Sequence, residues 1–258
     1  PGARIELSSR LGDDLGLDSL SVAELVTWLD EEFGVTDVQM EELQTVGALA
    51  QVAAGAVAEL PDREVFEVPA GWLEEAKSRP APTVVEGKTL SAAFLNCCER
   101  MDTFYAFGDR GSGALDWGRV KMAVLALAAR LKAFPARHIG VMLPASAGAS
   151  ISLPACLLAG KIPVMINWTA GRRNIEHALN LTGVEKILTS RAFLDRVATD
   201  LEFLEDKFVV LEDLKRQMGL CSRIRTLALA LLWPAVLLPI SRARAEKPDD
   251  TAVILFTS

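Results

Sequence analysis

The sequence has few of the side chains on which metal sites and disulfide frameworks depend. It contains two histidines and four cysteines, and no two cysteines form a Cys-x-x-Cys pair. A structural zinc site or a disulfide framework is therefore not expected, and a reducing, cytosol-facing compartment fits the composition best. No secretory leader opens the chain. Because Pro1 is not a natural initiator and the final residues stop within a pattern, the chain is interpreted as a fragment of a larger protein.

Positive charge is scarce at the N-terminal end. Residues 1–60 contain twelve acidic residues and only Arg4 and Arg10, a net charge of −10. The whole chain carries −7, so the other 198 residues carry about +3 (−7 minus −10). This asymmetry favours two modules with different partners. The acidic module would repel nucleic acid and attract a basic protein surface, so no nucleic-acid partner is expected.

The N-terminal module has the periodicity of a small helical bundle. Gly34 follows the first apolar series and ends the predicted helix. A second amphipathic run covers Thr45–Ala58. The apolar residues predicted to share one face of the first helix are Val22, Leu25, Val26, Leu29 and Phe33.

The rest of the chain alternates between predicted helices and short apolar strands. Residues 61–88 contain four prolines among charged and small residues, which indicates a linker with a possible helical turn at Trp72–Lys77. From residue 89 onward the alternation predicts an α/β domain with a mainly parallel sheet. The predicted domains are thus 1–60, 61–88 and 89–258. The predicted strands are Phe104–Phe107, Ile139–Leu143, Ile162–Ile166, Lys186–Thr189, Phe208–Leu211 and Ala252–Phe256.

Ser19 is the principal candidate site. The run Leu15–Leu20 places this serine at the first turn of an amphipathic helix, ahead of the core-facing residues. An external enzyme can reach a hydroxyl in that position, and a helix N-terminus stabilises an attached phosphate. The alternative is that Asp18 and Ser19 only cap the helix.

Residues 8–58 resemble acyl carrier proteins, through Leu17-Asp18-Ser19-Leu20, the apolar series that follows, and Thr45-Val46. The resemblance implies a 4'-phosphopantetheine arm on Ser19, with Asp18 beside it, added by a phosphopantetheinyl transferase. Carriers of this family have a full helix before the serine, whereas this sequence is expected to retain only the end of that helix. The resemblance also implies an acidic partner-recognition face, for which a solvated helix face is the alternative. Its residues are Glu24, Asp30, Glu31 and Glu32.

Residues 89–258 resemble the beginning of the AMP-binding, adenylate-forming superfamily. The resemblance rests on Pro163–Gly171, Ile187–Asp195, Val210–Leu214 and Ala252–Ser258. These segments are most similar to the bacterial bifunctional 2-acylglycerophosphoethanolamine acyltransferase/acyl-acyl-carrier-protein synthetase family. That family activates a fatty acid with ATP and Mg²⁺, loads it onto carrier-bound phosphopantetheine, and acylates a lysophospholipid at the cytoplasmic face of the inner membrane. The resemblance therefore implies an acyl-carrier-protein or CoA ligase acting with an acyltransferase domain.

The last residues carry one further clue. In the superfamily the strand at Ala252–Phe256 leads into a loop that holds ATP phosphates, so Thr257 and Ser258 are assigned to nucleotide binding. An ordinary strand end is the alternative. Because the remainder of the loop and the mobile C-terminal domain lie outside the 258 residues, the isolated chain is not expected to adenylate. No catalytic or metal-binding residue is assigned.

An apolar, uncharged stretch of fifteen residues covers Thr226–Ile240. It is too short to span a bilayer and contains Pro234 and Pro239. The flanking residues Arg223, Arg225, Arg242 and Arg244 suit a segment that lies in the interface of an anionic membrane. A buried helix–loop is the alternative.

Two other functions are compatible with the same residues. One is a carrier and docking module without catalysis of its own. The other is a loading unit for polyketide or peptide synthesis, in which carrier and adenylating domains also occur together. The matches at Met165–Gly171 and Thr189–Asp195 favour lipid acylation over the loading unit.

Overall fold

The computed structural model describes residues 5–12, 14–17, 19–35, 43–55, 86–109, 111–232, 236–237 and 247–256. The predicted turn at Trp72–Lys77 lies outside these residues. The chain divides into two compact units. One comprises Pro1–Val65, Asn167–Ala178 and Phe256–Ser258, and the other comprises Phe66–Ile166 and Leu179–Leu255.

The N-terminal residues of the first unit form a small helical bundle. Helix α1 spans Ser19–Phe33 and helix α2 spans Val46–Ala53. Helix α1 ends as the sequence predicts, because Gly34 adopts a left-handed φ of 63°. The Thr45 hydroxyl caps α2 by accepting a hydrogen bond from the Ala48 N–H at 3.1 Å. The bundle core is formed by Leu11, Leu29 and Leu43, with Val22, Leu25, Val26, Val46 and Leu49 packed against it.

One residue of the predicted apolar face of α1 does not reach this core. Phe33 was expected to face inward, but its side chain is 48 % exposed. It lies in the last turn of α1, beyond the contacts made by Leu11, Leu29 and Leu43. Its ring instead packs edge-to-face on exposed Trp28, with ring centroids 5.3 Å apart.

The second unit contains a five-stranded parallel sheet in the order β6–β5–β3–β4–β7. The strands are β3 His138–Val141, β4 Ile162–Met165, β5 Ile187–Thr189, β6 Phe208–Val210 and β7 Ile254–Leu255. A separate antiparallel hairpin consists of β1 Tyr105–Asp109 and β2 Gly113–Asp116. Together with the bundle, this architecture confirms the predicted helical module followed by an α/β module.

Seven helices are described from residue 90 onward, in addition to two short 3₁₀ helices at Trp168–Ala170 and Glu202–Lys207. They are α3 Leu90–Met101, α4 Trp117–Leu131, α5 Ala147–Leu158, α6 Gly171–Thr182, α7 Arg191–Leu201, α8 Leu211–Arg216 and α9 Leu220–Ala230. Their boundaries follow local signals. The side chains of Thr89, Asp116, Ser146 and Ser190 cap α3, α4, α5 and α7 respectively.

The inner strands of the parallel sheet are continuous apolar runs in the sequence because both of their faces are buried in the core. Ile139, Val164 and Ile187 lie in three neighbouring strands and are all buried. Gly140 permits the close approach of β3 and β5, because a Cβ at this position would stand 2.9 Å from Ile187 Cγ1. Helix α4 contributes Val124 and Leu131, which are fully buried in the same core.

The hairpin differs from the sequence prediction. The strand expected at Phe104–Phe107 was assigned to the alternating α/β pattern, yet β1 pairs only with β2 in its own sheet. The chain reverses because a carboxylate oxygen of Asp109 accepts the Ser112 N–H at 2.6 Å and stabilises the turn.

Candidate functional site

Ser19 is the first residue of α1, as the sequence predicts. Asp18 and the Ser19 side chain lie outside the described residues. The neighbouring Leu20 is exposed, whereas Leu17 and Val22 pack against the bundle core. The backbone at Ser19 therefore stands at a helix N-terminus on the boundary between core and solvent. This position fits a phosphodiester-linked arm, because the first N–H groups of a helix favour negative charge.

The four acidic residues predicted to recognise a partner are all exposed on α1. Glu24 and Glu31 are seven residues apart, which is close to two helical turns, so they share one face of the helix. The buried Leu29 lies on the opposite face. The exposed pair Trp28 and Phe33 adds apolar area to the same helix. Sequence reasoning missed this pair because the spacing of Phe33 matched the core face.

The carboxyl ends of three parallel strands meet at one edge of the sheet. The register pairs Val141 of β3 with Met165 of β4, and Met165 with Leu255 of β7. In open parallel sheets this edge is where ligands bind. Thr257 and Ser258 follow β7 in the sequence but lie outside the described residues, so their assignment to nucleotide binding stays a prediction.

The residues after β4 stabilise their own turn. The Asn167 carboxamide oxygen accepts the Thr169 N–H at 3.0 Å and the Thr169 hydroxyl at 2.8 Å. These bonds cap the short 3₁₀ helix Trp168–Ala170 that precedes α6. The segment on which the family resemblance rests thus has a local structural role at the end of a central strand.

Two helix N-termini next to the sheet are already satisfied by carboxylates of the protein. Strands β3 and β5 are neighbours in the sheet, and the strands that follow them in the chain, β4 and β6, lie on opposite flanks of this pair. Helix α5 follows β3 in the chain, and helix α7 follows β5. Asp109 accepts the Ala147 N–H of α5 at 2.7 Å, and Glu212 accepts the Arg191 N–H of α7 at 3.1 Å. The N–H groups of Ala147 and Arg191 are therefore already paired within the protein.

The described residues contain no cluster of three or more His, Cys, Asp or Glu side chains arranged to hold a metal ion. Burial raises the pKa of both Cys98 and Cys156 to about 12. These thiols are protonated at neutral pH, and a protonated thiol is a poor nucleophile. Neither cysteine is a candidate for covalent catalysis.

Two family models match the chain. The model described as "AMP-binding enzyme" matches residues 98–258, and the model described as "Phosphopantetheine attachment site" matches residues 1–53. An acyl carrier protein of Saccharopolyspora erythraea is 35 % identical over 71 residues, which cover 27 % of this chain and 75 % of that protein. These matches confirm the predicted pairing of a phosphopantetheine carrier with an AMP-binding module. They imply phosphopantetheine and ATP with Mg²⁺ as cofactors.

Three solved structures illustrate the similarity. The N-terminal subdomain of Klebsiella oxytoca NpsA is 16 % identical with a TM-score of 0.43, covering 51 % of this chain and 33 % of that chain. O-succinylbenzoate coenzyme A synthetase (MenE) from Bacillus subtilis, in complex with AMP, is 17 % identical with a TM-score of 0.40, covering 49 % and 32 %. A fatty acid AMP ligase from Legionella pneumophila is 15 % identical with a TM-score of 0.40, covering 49 % and 24 %. The chain spans a third or less of the length of these structures.

Proposed function

Because the chain belongs to the AMP-binding enzyme family and its N-terminal segment to the acyl carrier proteins, we propose that it serves in ATP-dependent acyl ligation with a built-in carrier. The substrate is a fatty acid, and the acceptor is the phosphopantetheine arm on Ser19, a separate carrier or CoA. The observation that carries this proposal is the position of Ser19 at the start of α1, on the same chain as an AMP-binding module.

The chain's own residues divide the task between the two modules. Ser19 provides the hydroxyl for attachment, and the N-terminus of α1 stabilises the phosphate of the arm. The terminal thiol of the bound arm would carry the acyl group as a thioester. The loop that begins with Thr257 and Ser258 would hold the phosphates of ATP through N–H groups and hydroxyls.

The biological setting proposed is phospholipid acylation, in which lysophospholipids are recycled at the cytoplasmic face of the inner membrane. An acyltransferase domain would consume the acyl-carrier product, and the chain would contact the membrane peripherally. Support comes from the resemblance of Met165–Gly171 and Thr189–Asp195 to the bifunctional acyltransferase/synthetase family. A carrier module without catalysis, or a loading unit of a polyketide or peptide synthase, is the competing function.

The first test is phosphopantetheinylation of the 258-residue chain. A phosphopantetheinyl transferase with CoA should add one arm, measured as one mass increment in the intact protein. Ser19→Ala should remove the increment, whereas Ser21→Ala, two residues along the same helix, should retain it. An increment that persists in Ser19→Ala would refute the attachment site.

The second test separates the ligase from its alternatives. In the full-length protein, ATP–pyrophosphate exchange should depend on a long-chain fatty acid. Exchange that depends instead on amino acids or aryl acids would favour the loading unit. Loading of Ser19 without exchange for any carboxylic acid would favour the carrier and docking module.

A further inference from the structure

Helix α9 exposes a continuous stripe of large aliphatic side chains. Leu220, Ile224, Leu227 and Leu231 are 73, 59, 53 and 77 % exposed. Their spacings of four, three and four residues place them on one face of the helix, and Leu231 continues the helical backbone as its C-cap. We call these four residues the α9 stripe. Scattered exposed leucines are ordinary, whereas an aligned series over three turns indicates a contact surface.

The opposite face of α9 is already used. Thr226 is buried, and Leu229 and Ala230 pack against the core of the second unit. The Leu232 carbonyl, just beyond the helix, accepts a hydrogen bond from Lys121 Nζ at 3.3 Å, and the same ammonium pairs with Glu99 at 3.3 Å. These contacts fix the rotation of α9. The stripe is therefore the outer face of a docked helix and not an alternative core face.

The sequence around the stripe is strongly basic within an acidic chain. Residues 214–245 contain six basic residues and no acidic residue, although the whole chain carries −7. Lys215 and Arg216 of α8 and Arg225 of α9 are exposed in the structure. The other three basic residues are Arg223, Arg242 and Arg244. An aliphatic stripe with basic flanks complements a surface that is apolar within and anionic at its rim.

The length of the helix determines how such a surface is contacted. Among the described residues no helix is long and apolar enough to cross a bilayer. The eleven residues of α9 are suited to lie parallel to a membrane plane, with the stripe toward the acyl chains and the basic side chains at the headgroups.

We propose that the α9 stripe, together with the exposed basic residues Lys215, Arg216 and Arg225, binds the surface of an anionic lipid bilayer. This inference deepens the proposed function and rests on it in one respect. Fatty acids partition into lipid bilayers, so a fatty-acid ligase bound to a bilayer is close to its substrate. It also changes the set of residues expected to contact the membrane, which the sequence placed at Thr226–Ile240. Thr226, Leu229 and Leu237, which belong to the apolar stretch Thr226–Ile240, are turned to the core or buried. Leu220 and Ile224, which precede that stretch, join the contact.

The test is co-sedimentation of the 258-residue chain with vesicles. Vesicles of equal parts phosphatidylglycerol and phosphatidylcholine should retain the protein at low salt. Pure phosphatidylcholine should retain less, and 0.5 M salt should release protein from the anionic vesicles through screening. Each removed arginine should lower the partition coefficient roughly fivefold near an anionic surface. Arg223→Gln/Arg225→Gln should therefore bind about twenty-fivefold less tightly.

A pair of matched variants isolates the stripe. Ile224→Gln/Leu227→Gln removes two stripe residues and should lose retention on anionic vesicles. Leu90→Gln/Leu181→Gln removes two aliphatic residues that are 57 and 70 % exposed elsewhere, and it should bind like the wild type. Since all four positions are exposed, both variants should keep the wild-type melting temperature to within a few degrees.

Three results would overturn the proposal. The first is wild-type protein that stays in the supernatant with anionic vesicles at low salt. The second is equal retention of the two double variants on those vesicles. The third is wild-type self-association in size-exclusion chromatography that Ile224→Gln/Leu227→Gln abolishes while vesicle binding stays unchanged. The last would show that the stripe joins two copies. Loading of Ser19 is measured without vesicles, so failure of the proposed function is distinguishable from failure of the lipid surface.

Discussion

Two buried serines show how a single hydroxyl changes stability according to its partner. Ser91 in α3 and Ser152 in α5 are both fully buried. The Ser152 hydroxyl donates to the Gly148 carbonyl at 2.8 Å. The Ser91 hydroxyl has no hydrogen-bond partner among the described residues, and the same holds for Thr189 at the end of β5. A buried polar group without a partner costs free energy that an apolar atom in its place would not.

These environments predict opposite results for the same substitution. Ser152→Ala removes a buried hydrogen bond and should lower the free energy of unfolding by about 1 kcal/mol. Ser91→Ala removes an unpaired hydroxyl and should leave the free energy of unfolding unchanged or raise it. Urea denaturation measures both values under identical conditions. Equal losses for the two variants would show that Ser91 has a partner in solution.

At the scale of secondary-structure elements, the start of α5 depends on a residue from the hairpin. Burial acts to raise the pKa of Asp109, but the hydrogen bonds from Ala147, Ser112 and Gly111 outweigh it and hold the pKa below its usual value. A carboxyl group with a lowered pKa contributes stability above its usual pKa and loses it as the pH falls through the lowered value. The carboxylate joins the β1–β2 turn to the N-terminus of α5.

We therefore expect Asp109→Asn to be destabilising near neutral pH. The free energy of unfolding should fall by roughly 1 kcal/mol. The hydrogen bonds to the Asp109 carboxylate are charge-assisted, which increases their contribution, but the carboxylate is partly exposed to water, which reduces it. The difference from wild type should shrink below the usual carboxyl pKa, as the wild-type side chain becomes neutral. Thermal melts from pH 7 to pH 2.5 measure this convergence. Asp195→Asn, at an exposed position in α7, is the matched control over the same pH range.

Much of the element pattern could be predicted from the sequence, for identifiable reasons. Helices α1 and α4 follow their apolar spacing, and β3, β4 and β5 are apolar runs because both faces of a parallel sheet are covered. The hairpin could not be predicted, since its turn depends on a side-chain hydrogen bond at Asp109. The exposed and buried faces of α9 could not be predicted for another reason. Leu227 is exposed and Leu229 packs against the core, and an uninterrupted apolar run does not show which of its residues are buried.

At the scale of the whole molecule, the separation of charge predicts how partners approach. Residues 1–60 carry −10 and the remaining residues about +3 (−7 minus −10). A basic transferase would be attracted to the acidic module over distances comparable to the Debye length. The position of Ser19 could be predicted because it depends on a local helix start. The ATP site could not, because such sites join loops that are distant in sequence.

Reversing charge on α1 should slow the loading of Ser19. Glu24→Lys/Glu31→Lys should lower kcat/KM for the phosphopantetheinyl transferase roughly tenfold at low ionic strength, because steering is lost. The deficit should narrow as salt is added. Glu185→Lys/Glu202→Lys changes the net charge equally at exposed positions of the other unit and should load normally. Equal rates for the two variants at every salt concentration would contradict a role for the α1 face.

The tie between Lys121 and the Leu232 carbonyl has a consequence for the thermodynamics of adsorption. Lys121 is buried, and separating α9 from α4 would remove the Leu232 carbonyl from its ammonium while leaving the ion pair with Glu99. Detachment of the helix is therefore costly, and α9 stays folded whether or not a surface is present. The proposed adsorption of α9 to lipid therefore requires no coupled folding, and its entropy cost is confined to orienting a rigid helix on the bilayer.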